Sequence, residues 1–286
     1  MHPLDGPRLK VRRAISQIET LRRADTEFRA LADYRVIVAE PNSKGTEYAL
    51  RAIVNVLPPP ELGLYIGEIA HQLRSALDGL VYQLERLRYP APKAGTRVRT
   101  QFPIFERRRI KGCRERGGKN LCQSPKLRHF VCNGGPRMIE RLYPCHQAEI
   151  KRLQPYQRGN KGKRNPLYLL QELNNADKHR LLPTVGGKAM GYSGGSAWSD
   201  EPMPDYWIST RKVLEDGAKV GRVSAIYVNR RQVRMEQRIY PAIAFWEGCE
   251  AVAGSGVCFT LSQIAEHVSK IVESFGPEFG KRAESP

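Results

Sequence analysis

Hydrophobic residues recur at helical spacing in several long stretches of the chain. In HQLRSALDGLVYQL (71–84), leucine and valine follow one another at intervals of three and four residues, which is typical of one buried face of an α-helix. The stretches with this period are residues 8–34, 61–88, 136–153, 167–182 and 261–275, with Pro144 as a break in the third. The pattern predicts a mainly helical first part and a helix at the end of the chain.

β-Branched and aromatic residues mark the predicted strands. RVIVAEP (35–41) and TEYALRAIVNV (46–56) flank a polar turn and predict a hairpin. Three later runs, 206–214, 222–229 and 239–247, predict further strands. The fold class is therefore α+β, a helical bundle with an embedded β-hairpin followed by a mainly antiparallel sheet with a C-terminal helix. We expect two parts, residues 1–182 and a smaller part, 183–286, packed on the first.

The charge of the chain is strongly positive and unevenly spread. Its 286 residues include 47 Lys and Arg against 29 Asp and Glu, which gives a net charge of +18. Residues 97–128 hold eleven basic and two acidic side chains, so 11 − 2 = +9, half of the total, lies in 32 residues. Few aliphatic residues accompany them, and we expect residues 89–135 to form a mobile basic loop. Such charge favours polyanionic partners, nucleic acid before all others.

The candidate nucleic-acid-binding residues lie in this basic loop and in a second polar segment, GNKGKRN (159–165). They are Arg107, Arg108, Arg109, Lys111, Arg114, Arg116, Lys119, Lys161, Lys163 and Arg164. No RRM, helix-turn-helix or zinc-finger signature accompanies them, so the expected contact is electrostatic and independent of base sequence. The competing interpretation is a basic face that contacts only solvent. A protein partner or a homodimer is the other candidate interaction.

Other functional classes find little support in the sequence. No window of 18 apolar residues predicts a membrane span, and no export signal precedes the first helix, so we expect a cytoplasmic protein with free thiols. No phosphate-binding loop, nucleophile elbow or HExxH motif is present, and no cofactor is expected. Among the cysteines and histidines of the basic loop, only His129 and Cys132 have tight, knuckle-like spacing. We therefore expect no metal site.

Two polar clusters are the candidates for chemistry. His71, Arg74 and Asp78 lie along one side of the helix predicted for 61–88. The second cluster ends the helix predicted for 167–182 and comprises Asn174, Asp177, Lys178 and His179. The preferred interpretation is a structural ion-pair network between the two helices, in which Arg74 pairs with Asp177, and Asp78 meets Lys178 or Arg180. The alternative is a phosphodiester site, in which a histidine acts as base and a cation stabilises the phosphorane.

Several motifs resemble an uncharacterised bacterial and phage protein family. They are HPLDGPRLKVRRA (2–14), YRVIVAE (34–40), IGEIAHQLRSALDGLVYQL (66–84), FPIF (102–105), LQPYQ (153–157) and ELNNADKHRLL (172–182). The usual pattern of that family is close to HNLRSALDHLV on the helix, followed later by an Asn-rich stretch with DKHR. The resemblance covers most of residues 3–185 and, more loosely, residues 216–218 and the last helix.

The RSALDH pattern of that family in turn resembles the R-x4-6-H motif of HEPN domains, helical modules that occur as RNA-cleaving toxins and as nucleotide-binding partners. By this resemblance Arg74 takes the place of the arginine, whereas Gly79 stands where the histidine would be catalytic. Either this chain is inactive, or His71 or His179 substitutes, or the family has no nuclease activity. Two functions stay open: a non-catalytic, HEPN-like binding protein, which Gly79 favours, and a metal-independent endoribonuclease with a displaced histidine.

Overall fold

The computed structural model describes most of the helical regions and the strands of the main sheet. The described residues are 2–90, 100–106, 114–116, 119–121, 130, 134–179, 185–192, 206–208, 213–224, 236–245 and 249–280. The helices are α1 (Asp5–Leu31), α2 (Leu62–Arg88), α3 (Gly135–Ile139), α4 (Pro144–Arg152), a 3-10 helix (Pro155–Arg164), α5 (Pro166–His179), α6 (Val257–Ser274) and α7 (Pro277–Gly280). The predicted break at Pro144 is confirmed, because Pro144 begins α4.

The strands form one six-stranded sheet and one small hairpin. The strands are β1 (Tyr34–Pro41), β2 (Glu47–Ile53), β3 (Arg114–Arg116), β4 (Lys119–Leu121), β5 (Val185–Tyr192), β6 (Tyr206–Ile208), β7 (Lys219–Ser224) and β8 (Glu236–Phe245). The large sheet has the order β5-β8-β1-β2-β7-β6, and β3 pairs with β4. Every pairing is antiparallel. The α+β prediction is confirmed.

The hairpin of β1 and β2 forms where the sequence predicts it. Asn42 accepts a hydrogen bond from the backbone N–H of Thr46 at 2.9 Å, and Gly45 has a φ of +66°, a conformation that favours glycine. The hairpin is not an isolated two-stranded element. It lies in the middle of the large sheet, where β1 pairs with β8 and β2 pairs with β7.

The chain divides into two compact units, which interleave along the sequence. One unit contains residues 1–18, 66–180 and 261–286, and the other contains 19–65 and 181–260. This division differs from the predicted boundary at residue 182. The difference arises because the early hairpin needs the later strands as hydrogen-bonding neighbours, while residues after 260 cluster with the first unit.

Strand β5 is not predicted by the sequence. Its residues, VGGKAMGY, are poor in the β-branched and aromatic types on which strand prediction depends. At Gly187, an added Cβ would lie 2.4 Å from the hydroxyl oxygen of Tyr34, so the tyrosine ring occupies the space of a side chain. The glycine therefore reflects close packing inside the sheet unit.

The apolar stripe of α2 is buried as predicted. Leu73, Leu77, Leu80, Val81 and Leu84 are all excluded from solvent. Unbranched helix formers dominate the helix, and no proline interrupts it. Among the helices that the structure describes, none combines the length and apolar character that crossing a membrane requires.

Candidate nucleic-acid interface

Arg74 and Asp78 bind the backbone of a neighbouring segment, residues 102–105. Arg74 Nη2 donates to the carbonyl oxygen of Phe102 at 2.7 Å, and the backbone N–H of Phe102 donates to Asp78 Oδ1 at 2.9 Å. The two side chains also form an ion pair, with 3.1 Å between Nη2 and Oδ1. Both backbone polar groups of Phe102 are thereby satisfied by one turn of α2.

The side chain of Arg74 is largely buried. Only 12% of its side chain is exposed, and burial lowers the pKa of its guanidinium, while the carboxylate of Asp78 acts in the opposite direction. Nη1 is buried without a hydrogen-bond partner among the described residues. The guanidinium is thus already bound by protein groups on one side and enclosed on the other.

Gln154 continues the same arrangement further along the segment. This buried side chain donates to the carbonyl oxygen of Pro103 at 2.7 Å and accepts from the N–H of Phe105 at 3.2 Å. The side chains of Phe102 and Phe105 are themselves buried. Residues 102–105 are therefore fixed by both polar and apolar contacts.

Two phenylalanines join the beginning and end of the central basic segment, residues 107–129. The rings of Phe105 and Phe130 make an edge-to-face contact with 5.8 Å between centroids, and Tyr156 lies 5.7 Å from Phe130. Between the phenylalanines, residues 107–129 contain nine Lys and Arg and one Glu, so the net charge is 9 − 1 = +8. The two ends of a highly basic segment are therefore held close together.

Within this segment the structure describes the short hairpin of β3 and β4. Its register pairs Arg116 with Lys119 and Arg114 with Leu121. Directly opposed residues share a face of an antiparallel pair, and alternate residues of one strand share a face. The positions of Arg114, Arg116 and Lys119 consequently fall on one face of the hairpin.

The other basic candidates are only partly described. Arg107, Arg108, Arg109 and Lys111, and with them most of the predicted mobile loop, lie outside the described residues. In the 3-10 helix, Lys163 and Arg164 are exposed, whereas the side chain of Lys161 is outside the described part.

The predicted pairing of Arg74 with Asp177 is wrong. The carboxylate of Asp177 instead lies against Gly67, where an added Cβ would be 2.2 Å from its Oδ1. Gly67 precedes Arg74 by seven residues, about 10 Å along the helix axis. The two helices approach closely at a glycine, and Arg74 finds its carboxylate one turn away on its own helix.

The remaining predicted catalytic candidates are described only in part. His71 is exposed, and Asn174 is buried with its Oδ1 unpartnered among the described residues. The side chains of Lys178 and His179 lie outside the described part, as does Arg180, so the predicted pairing of Asp78 with Lys178 or Arg180 stays a prediction.

Gly79 faces the start of α1. It occupies the position at which the motif that this helix resembles has a histidine. A Cβ added there would lie 3.4 Å from Cγ of Pro7, an ordinary van der Waals contact. The backbone position itself therefore accepts a small side chain.

Most of the cysteine and histidine residues considered for a zinc site lie outside the described residues. Cys113, Cys122, His129 and Cys132 are not described. Within the described ranges, no group of three or more His, Cys, Asp or Glu side chains is arranged to hold a metal ion. His146, which is described, is buried and contacts Glu278, with 3.2 Å between Nε2 and Oε2.

A stack of arginine and tyrosine side chains at the end of α2 is not predicted by the sequence. Cζ of Arg141 lies 4.5 Å from the ring centroid of Tyr89, and Cζ of Arg88 lies 5.3 Å from the same centroid and 5.8 Å from that of Tyr143. The sequence feature that could have indicated an aromatic surface here is the seven-residue spacing of Tyr82 and Tyr89. This spacing puts both tyrosines on one side of the helix.

Comparisons with protein-family models, curated proteins and solved structures find no match to this chain.

Proposed function

We propose that this protein binds nucleic acid without catalysing a reaction, and that residues 107–129 contact the phosphates. The observation that carries the proposal is a segment of net charge +8 whose ends are joined by the contact between Phe105 and Phe130. Lysine and arginine that neutralise phosphates release condensed counterions, which supplies affinity without base recognition. The proposed protein is HEPN-like, because the helix around Arg74 resembles the motif of HEPN domains.

The joined ends support binding rather than a solvated basic face. A flexible chain with nine cations would lose much conformational freedom on contact with a polyanion. Because Phe105 and Phe130 are buried and residues 102–105 are hydrogen-bonded to α2 and to Gln154, part of that loss has already occurred on folding. The short hairpin, with three cationic positions on one face, adds to this order.

The surroundings of Arg74 support a non-catalytic function. A catalytic arginine must reach the developing charge on the reacting phosphate. Here the guanidinium already binds the Phe102 carbonyl and Asp78, and Gly79 supplies no imidazole beside it. His71 is exposed on the same helix, three residues away.

The test is the salt dependence of binding to single-stranded oligonucleotides, measured by fluorescence anisotropy. If about four phosphates are neutralised, affinity should fall by nearly three decades for each tenfold rise in salt. Changing Arg107, Arg108, Arg109 and Lys111 to glutamine should flatten this slope.

A matched control removes the same charge from α1. Arg12, Arg13, Arg22 and Arg23 are exposed there, and their change to glutamine should leave most of the slope in place. Equal slopes for both quadruple variants would refute a binding role for residues 107–129. Absence of binding at about 50 mM salt would leave a protein partner or a second copy of the chain as the alternative.

Catalysis is tested in parallel by incubating the protein with mixed RNA in the presence of a chelator. Under the proposal the RNA stays intact, and Gly79→His has no more activity than the parent. Cleavage by the parent that Arg74→Met abolishes, in a variant that still folds, would show that the protein is a metal-independent ribonuclease.

A further inference from the structure

We infer that the nucleic acid is single-stranded, and that its unpaired bases stack on a platform formed by Tyr82, Arg88, Tyr89, Arg141 and Tyr143. This inference rests on the proposed function and adds the class of ligand. Phosphate contacts alone do not distinguish a single strand from a duplex, whereas stacking requires a free base face.

Tyr82 of α2 and Tyr89, the residue that directly follows α2, are exposed and lie on one side of the helix. Tyr82 is 43% exposed and Tyr89 is 38% exposed. They are seven residues apart, which corresponds to nearly two full turns and about 10 Å along the axis. An aromatic ring that faces solvent gains little from folding, but it gains from an unpaired base, since every base offers a π-face.

The two arginines of the platform are held in place by other protein groups. Arg141 Nε bonds to Glu85, which is buried, and Arg88 Nη1 donates to the carbonyl oxygen of Leu142 at 2.7 Å. These bonds fix guanidinium groups near the aromatic rings of Tyr89 and Tyr143. A fixed guanidinium plane is itself a stacking surface for a base, and little side-chain entropy remains to be lost on binding.

The platform lies at the start of the segment that leads to the basic residues. Thr100 Oγ1 donates to Glu85, the same carboxylate that binds Arg141. Two residues later, Phe102 is bound by Asp78, which precedes Tyr82 by one helical turn. The segment from Thr100 to Phe102 therefore runs along the turns of α2 that carry Glu85 and Asp78, and Tyr82 lies between those two residues in the sequence. The charge of residues 107–129 begins five residues after Phe102. Under the proposal, bases contact the platform while the adjoining phosphates contact that charge.

The test compares three labelled ligands of equal length, about 20 units each. They are a thymidine oligonucleotide, an abasic strand with the same phosphates, and a duplex. The parent protein should bind the thymidine strand more tightly than the other two. Tyr82→Leu and Tyr89→Leu should each weaken binding of that strand by about 5- to 150-fold, the range for loss of one stacked base. Affinity for the abasic strand should not change.

Two further variants separate stacking from general effects. Tyr89→Phe keeps the ring and should bind like the parent. Tyr240→Leu removes a tyrosine that is 55% exposed on β8, and it should also bind like the parent.

The outcomes distinguish this inference from the proposed function. If both leucine variants bind the thymidine strand like the parent while the quadruple glutamine variant loses affinity, the platform is refuted and phosphate binding stands. Equal affinity of the parent for the abasic and thymidine strands would refute the platform as well. If none of the three ligands binds at low salt, the proposed function itself has failed.

Discussion

Removal of Asp78 should destabilise the protein more than removal of Arg74. In Asp78→Ala, the buried N–H of Phe102 loses its acceptor, and Arg74 remains as a buried cation without its carboxylate. In Arg74→Met, a long apolar side chain fills the same space, and the Phe102 carbonyl loses its donor. The two variants therefore leave different groups unsatisfied.

The magnitudes follow from what each change leaves behind. Loss of one partner of a buried ion pair costs about 3–5 kcal/mol, but Asp78 is 34% exposed, so we expect about 2–3 kcal/mol for Asp78→Ala. The bond from Arg74 to the Phe102 carbonyl is worth about 1.5–3 kcal/mol, and removing a guanidinium with an unpartnered Nη1 offsets part of it. We expect about 1–2 kcal/mol for Arg74→Met.

Urea unfolding of the two single variants, the double variant and Asp177→Ala measures these values. The double variant should cost less than the sum of the single changes, because the residues contact each other. Asp177→Ala should change the unfolding free energy by no more than about 0.5 kcal/mol. Hydrogen exchange of the Phe102 amide should become faster in Asp78→Ala. A loss in Asp177→Ala as large as that in Asp78→Ala, or unchanged exchange at Phe102, would refute this reasoning.

The other predictions concern two glycines and two cysteines. Gly79→Ala should raise the free energy of unfolding by about 0.5–1 kcal/mol, because a helix-interior glycine is replaced and a Cβ meets only ordinary contact. Gly67→Ala should lower it by about 1–2 kcal/mol, because the Cβ would overlap Asp177, and Asp177→Ala should restore part of the loss. Burial and a neighbouring carboxylate raise the pKa of the Cys258 thiol to about 11. Peptide mapping after alkylation at pH 8 should therefore show slow labelling at Cys258 and faster labelling at the exposed Cys145; equal labelling would contradict the burial argument.

Regular periodicity made the helices predictable. The stretch 61–88 became a helix from Leu62 to Arg88, because its apolar stripe faces a core and strong helix formers occupy the remaining positions. The hairpin was equally clear from its turn residues. Its place in the middle of a sheet was not, since neighbours from residues 185–245 are separated from it by more than a hundred residues. Local pattern contains no information on such pairing.

The local sequence pattern also could not predict the partner of Arg74. Two charged clusters on two apolar helices suggest an inter-helical ion pair, and the close approach at Gly67 shows that the helices do meet. However, the meeting point lies about two turns from Arg74. The residue that Arg74 does bind, Phe102, offers a backbone carbonyl, and a backbone group gives no signal in the side-chain sequence.

Arg74 and Asp78 are charged residues on α2, a helix that faces the core. The segment that they bind explains why they are there. Phe102, Pro103 and Phe105 are buried, yet no strand of the described structure pairs with this segment. Their backbone groups would cost about 1–3 kcal/mol each if left unsatisfied. Asp78, Arg74 and Gln154 supply the acceptors and donors that a neighbouring strand would otherwise provide. Arg74 and Asp78 lie on α2, and Gln154 lies between α4 and the 3-10 helix, so the segment is held at fixed points. Glu106 alone separates it from residues 107–129. Arg74 and Asp78 thus bind the protein's own backbone, and under the proposed function their loss should lower stability first and nucleic-acid affinity only as a consequence.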